Sequence, residues 1–515
     1  MRLLRYPRQQ VRLLTALFAA VVLLAACSSS DSSDGQGNGG PSSNHLRVVV
    51  PTEPASLNPV ISVYTTLRVV GPVFDPLVGL DKKTLEPNDT GLLTDWEQVS
   101  PTEWRFSVRQ GVTFHNGEVW DAEAAAFTIE RYRDEPKGNF VPFYTPVASA
   151  RAESPDTLIV TTELPYIALP KVFTTAMGMP PKAFTEAGVD DFGRHPIGTG
   201  PFQFDSLELG QSFSVRAFPD YWGGAPKLDG ITFSYAADAS TRAALLQSGG
   251  ADLVVDLPNE LVDRVDNAPG ISVVHAQTLY KMFLGLNTVS GTLEDPDLRR
   301  AVQAAIDYDG IVETLFGGIG ASPSPYFTGD LLPTPPDLAY HNYDPELAKD
   351  LVAASGGTPT IRYIYSTGFY PKDNQVGEAV SAMLIAAGFD VEQVPLEYSE
   401  VRRQRNEGNF DIFMVQTSPT FAHPDSLVGF FTGSNAVAHY CTDPEGYDAL
   451  RAEALSADQA TSDELYEQIE RRMTDGDACQ IVLYDQVISY GMTDSVQGFE
   501  PALDAYPLLR LLSLE

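Results

Sequence analysis

An α/β fold built from two or three domains is what this sequence predicts, and three observations carry the prediction. The chain has 515 residues, too many for one ordinary hydrophobic core. Hydrophobic residues make up 43% and aromatic residues 10%, enough to fill real cores. Short β-branched or alternating runs recur between capped amphipathic segments, punctuated by 41 glycines and 38 prolines.

The first 26 residues stand apart. Arg2, Arg5, Arg8 and Arg12 give a basic start without an acid, and residues 13–26 are apolar except for Thr15. A bilayer-spanning helix takes about 20 residues, so residues 1–26 suit a signal peptide rather than a permanent span. The run ends Leu24-Ala25-Ala26-Cys27, which resembles the bacterial lipobox, where the chain is cut before a cysteine whose thiol is acylated. Cys27 is therefore expected to anchor an exported lipoprotein to the outer face of the cell membrane, or to the periplasmic side, through two acyl chains. Residues 27–45 read as the lipidated cysteine and a flexible tether. Its Ser/Gly-rich stretch buries nothing and has an rms reach of about 20–25 Å.

Beyond the tether, residues 46–50 form a β-branched run stopped by Pro51. Residues 103–108 alternate Trp104, Phe106 and Val108 on one face, a half-buried strand. Turns at Gln110-Gly111 and Asn116-Gly117 flank a further short strand at 112–114. Asp121 caps a helix running through Ala124, Phe127 and Arg131, and residues 157–161 are another strand. Asp295-Pro296 and Asp344-Pro345 each place a capping acid before a proline at the first helical position. The second of these helices stops at Gly356-Gly357, and a third runs from about 374 to 387 and stops at Gly388. Strands at 360–365 and 411–416 flank it. Gly317-Gly318-Ile319-Gly320 reads as a helix stop.

Charge and motif content exclude several functions. The net charge is −34, and losing the first 26 residues removes four arginines and no acid, leaving −38. So acidic a surface repels phosphate, which excludes nucleic acid as a partner. The composition is not that of a coiled coil, a multi-pass membrane protein or a small disulfide scaffold. Seven histidines form no cluster of metal-ligand spacing, there is no GxSxG elbow, and Gly198-Thr199-Gly200-Pro201 lacks the lysine of a phosphate loop. No catalytic residue, metal or cofactor is expected, and no enzyme. Cys441 and Cys479 remain as a pair. Export permits a disulfide between them, closing a 39-residue loop and adding about 3–4 kcal/mol, with two buried thiols as the other reading. Aromatic residues gather in turn-rich segments around 140–144, 367–371 and 417–431, where rings either form a recognition surface or pin loops to a core.

Several blocks in order then resemble one family, the family 5 extracellular solute-binding proteins, which include oligopeptide, dipeptide and nickel receptors of bacterial ABC importers. They are Ser56-Leu57-Asn58-Pro59; the run from Trp104 to Gly117; Pro196-Ile197-Gly198-Thr199-Gly200-Pro201-Phe202; and Asp220-Tyr221-Trp222-Gly223-Gly224-Ala225-Pro226. Leu286-Asn287-Thr288, Leu298-Arg299-Arg300-Ala301 with Ala305-Ile306-Asp307, and Tyr343-Asp344-Pro345-Glu346-Leu347-Ala348 follow. The resemblance covers about 46–350 and is looser beyond.

That resemblance implies a large two-lobed periplasmic-binding-protein-like clamp of the type II, cluster C kind. Lobe I would comprise 46–285 plus 484–515, with an accessory subdomain at 80–195, and lobe II 286–483. Crossings near Asn287 and Tyr484 would act as the hinge, closing the lobes over a ligand. The implied ligand-binding residues are Glu53, Tyr64, Phe369, Tyr370, Thr417, Ser418, Thr420, Phe421, His423 and Tyr440. In the family's peptide receptors an Asp four residues before a proline of the lobe II loop pairs with the ligand's α-amine. Counting back from Pro424 lands on Thr420, which has no charge to compensate a buried ammonium.

The function implied is that of a monomeric substrate-binding lipoprotein of an ABC importer. It would capture a peptide or peptide-like solute and pass it to a membrane permease served by a cytoplasmic ATPase. Receptors for an oligosaccharide, a siderophore-like compound or a metal chelate are the alternatives within the family. An exported hydrolase and a surface adhesion or signalling lipoprotein are the alternatives outside it.

Overall fold

The computed structural model describes residues 44–61, 67–327, 331–332, 338, 342–434, 436, 440–505 and 507–515. The signal segment, Cys27, the tether to residue 43, Tyr64 and His439 lie outside the described residues.

A ten-stranded mixed sheet runs through the molecule. Its strands follow the order Asp390–Leu396, Thr360–Ser366, Ile412–Thr417, Ile271–Leu286, Gln480–Thr493, Leu253–Val254, His45–Val50, Gly230–Tyr235, Ser212–Ala217 and Phe202–Glu208. The two central strands, 16 and 14 residues long, pair antiparallel and belong to both halves of the sheet. Their register shifts between Gln277 and Lys281 and again between Met282 and Phe283. Such irregularities bend a strand and raise its local twist. The sheet therefore changes course where the two halves join.

Each half holds three strands that run parallel. His45–Val50 pairs parallel with Gly230–Tyr235 and Leu253–Val254, and Thr360–Ser366 pairs parallel with Asp390–Leu396 and Ile412–Thr417. Parallel strands are covered on both faces, so their residues alternate between two cores. In the second half Leu284, Tyr363 and Met414 face a core with the helices Pro296–Ala305 and Asp373–Ala387. Phe283, Ile364 and Phe413 face another, with the helices Pro444–Ser456 and Gln459–Arg471. A third core gathers Val48, Phe74, Trp120, Tyr132, Phe213 and Tyr490 in the first half. The disulfide Cys441–Cys479 is formed, with Cα atoms 5.4 Å apart, inside the second half.

A separate four-stranded antiparallel sheet, Leu93–Ser100, Glu103–Val108, Thr157–Thr162 and Val147–Ser154, carries the helix Ala122–Asp134. Its alternation is as the sequence predicts: Trp104, Phe106 and Val108 are buried. Residues 112–114 form no strand, only an isolated bridge from Thr113 to Val119, because Gly111 and Gly117 turn the chain at positive φ on either side. The predicted caps hold. Asp121, Asp295 and Asp344 accept from the backbone N–H groups of Ala124, Asp297 and Leu347.

The most recognisable sequence blocks meet at one buried acid. Asp75 accepts from Thr199 Oγ1 at 2.9 Å, Tyr221 OH at 2.8 Å and Trp222 Nε1 at 2.8 Å. Gly198 and Gly200 let this turn approach the backbone at Val73; a Cβ on Gly198 would stand 2.0 Å from the Val73 carbonyl oxygen. Those motifs lock the first half together. None of their residues reaches the cavity described next.

Candidate functional site

The parallel strands of both halves point their C-terminal ends at one crevice, the position where open α/β sheets hold ligands. Val50, Ala237 and Val255 stand there in the first half, and Gly368 to Lys372 with Gln416 in the second. Residues 484–489 of the long strand form part of the wall. The crevice encloses about 730 Å³, within the range of small-solute sites.

Charged side chains of both signs line it. Arg68 Nη1 lies 3.7 Å from Asp256 Oδ2, and its guanidinium stands 6.0 Å from the ring centre of Tyr280. Arg242 donates to the carbonyls of Ala236 and Ala237 at 2.9 Å and of Asp256 at 2.6 Å. These bonds hold Asp256 in the left-handed region, at φ 57°, which a non-glycine residue adopts only under constraint. Lys372 shows the same feature from the other half, at φ 56°. Its Nζ donates to Leu315 O at 2.7 Å and lies 3.4 Å from Glu260 Oε2, an ion pair across the crevice.

Asp485 of the cavity wall has a buried partner. Lys281 Nζ and Asp485 Oδ1 are 3.1 Å apart, with side chains only 2% and 1% exposed. Ser324 donates to Asp485 Oδ2 at 2.6 Å and accepts from Lys281. The two residues are cross-strand partners beside the register shift, so the pair bolts the long strands together where their ladder is irregular. At so buried a site each charge depends on the other.

The residues singled out from the sequence divide into two groups. Phe369, Tyr370 and Tyr484 line the cavity. Phe369 stacks on Tyr398 with ring centres 3.8 Å apart and remains 57% exposed. Among the described residues, the others do not line it. Glu53 is exposed and accepts from Gly210 N–H at 2.9 Å. Thr417, Ser418 and Thr420 are half-buried, and the Thr420 N–H donates to Ser426 Oγ. Phe421 is buried edge-on against Phe143, 5.1 Å away. Tyr440 is buried beside the disulfide and accepts from Gln480 Nε2. Asn287 lies past the end of its strand, beyond the register shifts. There its amide closes a turn through Phe410 O and Ser290 Oγ, both 3.0 Å away.

His423 is also buried, edge-on to Tyr466, and its Nδ1 accepts from the Asp425 N–H. Burial lowers its pKa to about 4, despite the carboxylate of Asp425 nearby. That carboxylate is bound by Arg451 Nε at 2.5 Å, by Tyr466 OH at 3.2 Å and, from the accessory sheet's side, by Tyr166 OH at 3.5 Å. The loop around Thr420 and His423 is therefore held by packing between Phe143 and Tyr166 on one side and the second half on the other.

Sequence reasoning did not find Arg68, Arg242, Asp256, Glu260, Lys372 or Asp485. Asp256 follows a strand, Arg68, Arg242, Glu260 and Lys372 stand at or near the start of a helix, and Asp485 sits within a long strand, positions that acquire meaning only once the strand pairing is known. Among the described residues no group of three or more His, Cys, Asp or Glu is placed to hold a metal, and no helix is long and apolar enough to cross a membrane.

Two α/β lobes sharing one sheet, with a charge-lined cavity where the strands of both lobes end, make up the clamp of a type II periplasmic binding protein. Residues 89–438 match the bacterial extracellular solute-binding proteins, family 5 Middle, and the chain belongs to that family. It is 28% identical over 358 residues to the glutathione-binding protein GsiB of Escherichia coli, covering 67% of this chain. The match spans 65% of that relative's own length. The fold is shared with NikA from Brucella suis in complex with Fe(III)-EDTA, at a TM-score of 0.82 and 23% identity over 92% of this chain and 100% of that one. It is also shared with DppA from Helicobacter pylori in complex with peptide STSA, at a TM-score of 0.78 and 20% identity over 92% of this chain and 98% of that one.

Proposed function

We propose that this protein is the exported, lipid-anchored receptor of an ABC importer and that it captures a peptide-like solute in the crevice between its lobes. The observation that carries the reading is the cavity itself. It lies at the C-terminal strand ends of both lobes, and two continuous strands join those lobes. Lobe I comprises residues 46–285 and 484–515, with the accessory subdomain at 80–195, and lobe II residues 286–483. The composition of the three cores supports this division: the first draws almost wholly on residues before 277 and after 487, and the other two on residues 282–484. Flexing occurs at the register shifts around 277–283, opposite Tyr484.

The receptor works as a monomer and has no catalytic step. It binds, closes, and presents the solute to a membrane permease whose cytoplasmic ATPase drives uptake. A glutathione-binding relative and a neighbour holding a peptide favour a peptide-like solute over a sugar. Mass spectrometry of material co-purified with the protein tests the ligand class directly, and a sugar or chelate as the retained compound overturns it. Fractionation tests the anchor: the wild type partitions with membranes, Cys27→Ser is released or left unprocessed, and equal release of both overturns the anchor.

A further inference from the structure

Resting on that reading of two lobes, we propose that Asn259 and the turn from Phe316 to Gly320 form a latch that holds the clamp closed whatever solute it carries. The first ground is a single side chain. Asn259 opens the helix Asn259–Asp266 of lobe I, and its Nδ2 donates to Phe316 O and to Ile319 O of lobe II, both at 2.9 Å. Phe316 ends the helix Tyr308–Phe316, and the last carbonyls of a helix have no partner inside it. Gly317 and Gly318, at φ 63° and 75°, turn the chain back at that point, so that both carbonyls meet the same amide. The run Gly317-Gly318-Ile319-Gly320 is thus more than a helix stop.

The second ground is the packing of Ile319. It lies against the small lobe I core that holds Val49, Leu246, Val254 and Leu257. Lobe II therefore sets an apolar side chain, as well as two acceptors, across the gap. The third ground is the neighbouring ion pair. Lys372 of lobe II is bound to Leu315 O at the same helix end and pairs with Glu260, the residue after Asn259. That pair is partly exposed and adds little. The two hydrogen bonds and the burial of Ile319 carry the latch.

Every one of these contacts joins protein to protein. They exist while the lobes are together and break when the lobes part, so they bias that equilibrium without reading the solute. Apparent affinity scales with the fraction of receptor in the competent form. The latch therefore sets the strength of binding for all solutes by one common factor and leaves selectivity to the rest of the lining.

The test is small-angle scattering of the full protein, free of added solute, as wild type, Asn259→Ala and Asn259→Asp. The Asp variant is nearly isosteric, and an acid in the first turn suits a helix, so lobe I keeps its fold. Its carboxylate, however, faces two carbonyl oxygens in place of donating to them. The closed-to-open ratio is expected to fall about 10- to 100-fold in Asn259→Asp and less in Asn259→Ala. The radius of gyration then rises in the order wild type, Asn259→Ala, Asn259→Asp, with unchanged circular dichroism. Should Asn259→Asp not fold, the radius of Asn259→Ala decides. Equal radii in all three overturn the latch. Phe143→Ala with Tyr166→Phe, which frees the contacts with Phe421 and Asp425, separates that failure from a wider one. A larger radius there, with none in the Asn259 variants, overturns the latch and leaves lobes that move. No change in any variant, alone or combined, from a radius that fits the closed fold overturns the moving clamp together with its latch.

Discussion

At Asp75, side chains from two separate motifs converge on one carboxylate, and this says what those motifs are for. Thr199, Tyr221 and Trp222 were legible as family signatures, but they serve packing: they satisfy a buried acid whose own pKa is raised by desolvation. A resemblance carried by such residues identifies the clamp and is silent about its cargo. The histidines repeat the point. The resemblance implies that His423 binds ligand, and the structure buries it against Tyr466. His423 and His115 both have pKa values lowered to about 4 by burial, against 6.5 for an unhindered imidazole. Between those values the unfolded chain binds more protons than the folded one. Stability is therefore lost as pH falls from about 6.5 to about 4, by up to roughly 3 kcal/mol for each histidine. Urea unfolding at pH 7 and pH 4.5 should show this loss, and His423→Gln should show a smaller one. An equal loss in both proteins would remove His423 from the account.

Helix caps are local, and they were readable. Asp121, Asp295 and Asp344 sit where a side-chain acceptor meets an orphan N–H two or three residues ahead. The long strands are the opposite case. Ile271–Leu286 carries Lys281 at the start of a stretch, 281–286, that is buried throughout, and nothing near it in sequence announces Asp485 as its partner. Lys281→Met would strand the Asp485 carboxylate and should cost about 3–5 kcal/mol, whereas Lys281→Met with Asp485→Leu should recover most of it. Denaturant midpoints of the three proteins check this, and a double variant no better than the single rejects it. The disulfide belongs to the same scale. Cys441→Ser with Cys479→Ser should lower stability by about 3–4 kcal/mol, read as a fall in the melting temperature that reductant reproduces in the wild type. No change on either treatment would show that the bridge carries no stability.

Across the whole molecule the lobes also touch away from the long strands and from the crevice contact of Lys372 with Glu260. Tyr166 reaches Asp425, the Ile167 N–H donates to Leu455 O at 3.1 Å, and Phe143 packs on Phe421. The accessory subdomain thus fastens the far side of the clamp. Removing these contacts shifts the balance towards an open form by the few kcal/mol they contribute. Phe143→Ala with Tyr166→Phe should therefore enlarge the radius of gyration of the ligand-free protein in small-angle scattering. An unchanged radius would mean that these contacts do not set the closure. The same contacts set where the loop around Thr420 sits: its surroundings are decided by residues more than 200 positions earlier in the chain.

The residues alone settled the α/β character, the acidic surface, the capped helices and the family, because alternation, capping and motif spacing act over a few neighbouring residues. The cavity was beyond them. Arg68, Asp256, Lys372 and Asp485 come together only when two sets of parallel strands join one mixed sheet through a shared pair of strands, so their meaning depends on pairings hundreds of residues apart. A charge count over the whole chain records two acids for every base, and only the folded sheet shows that the crevice is an exception.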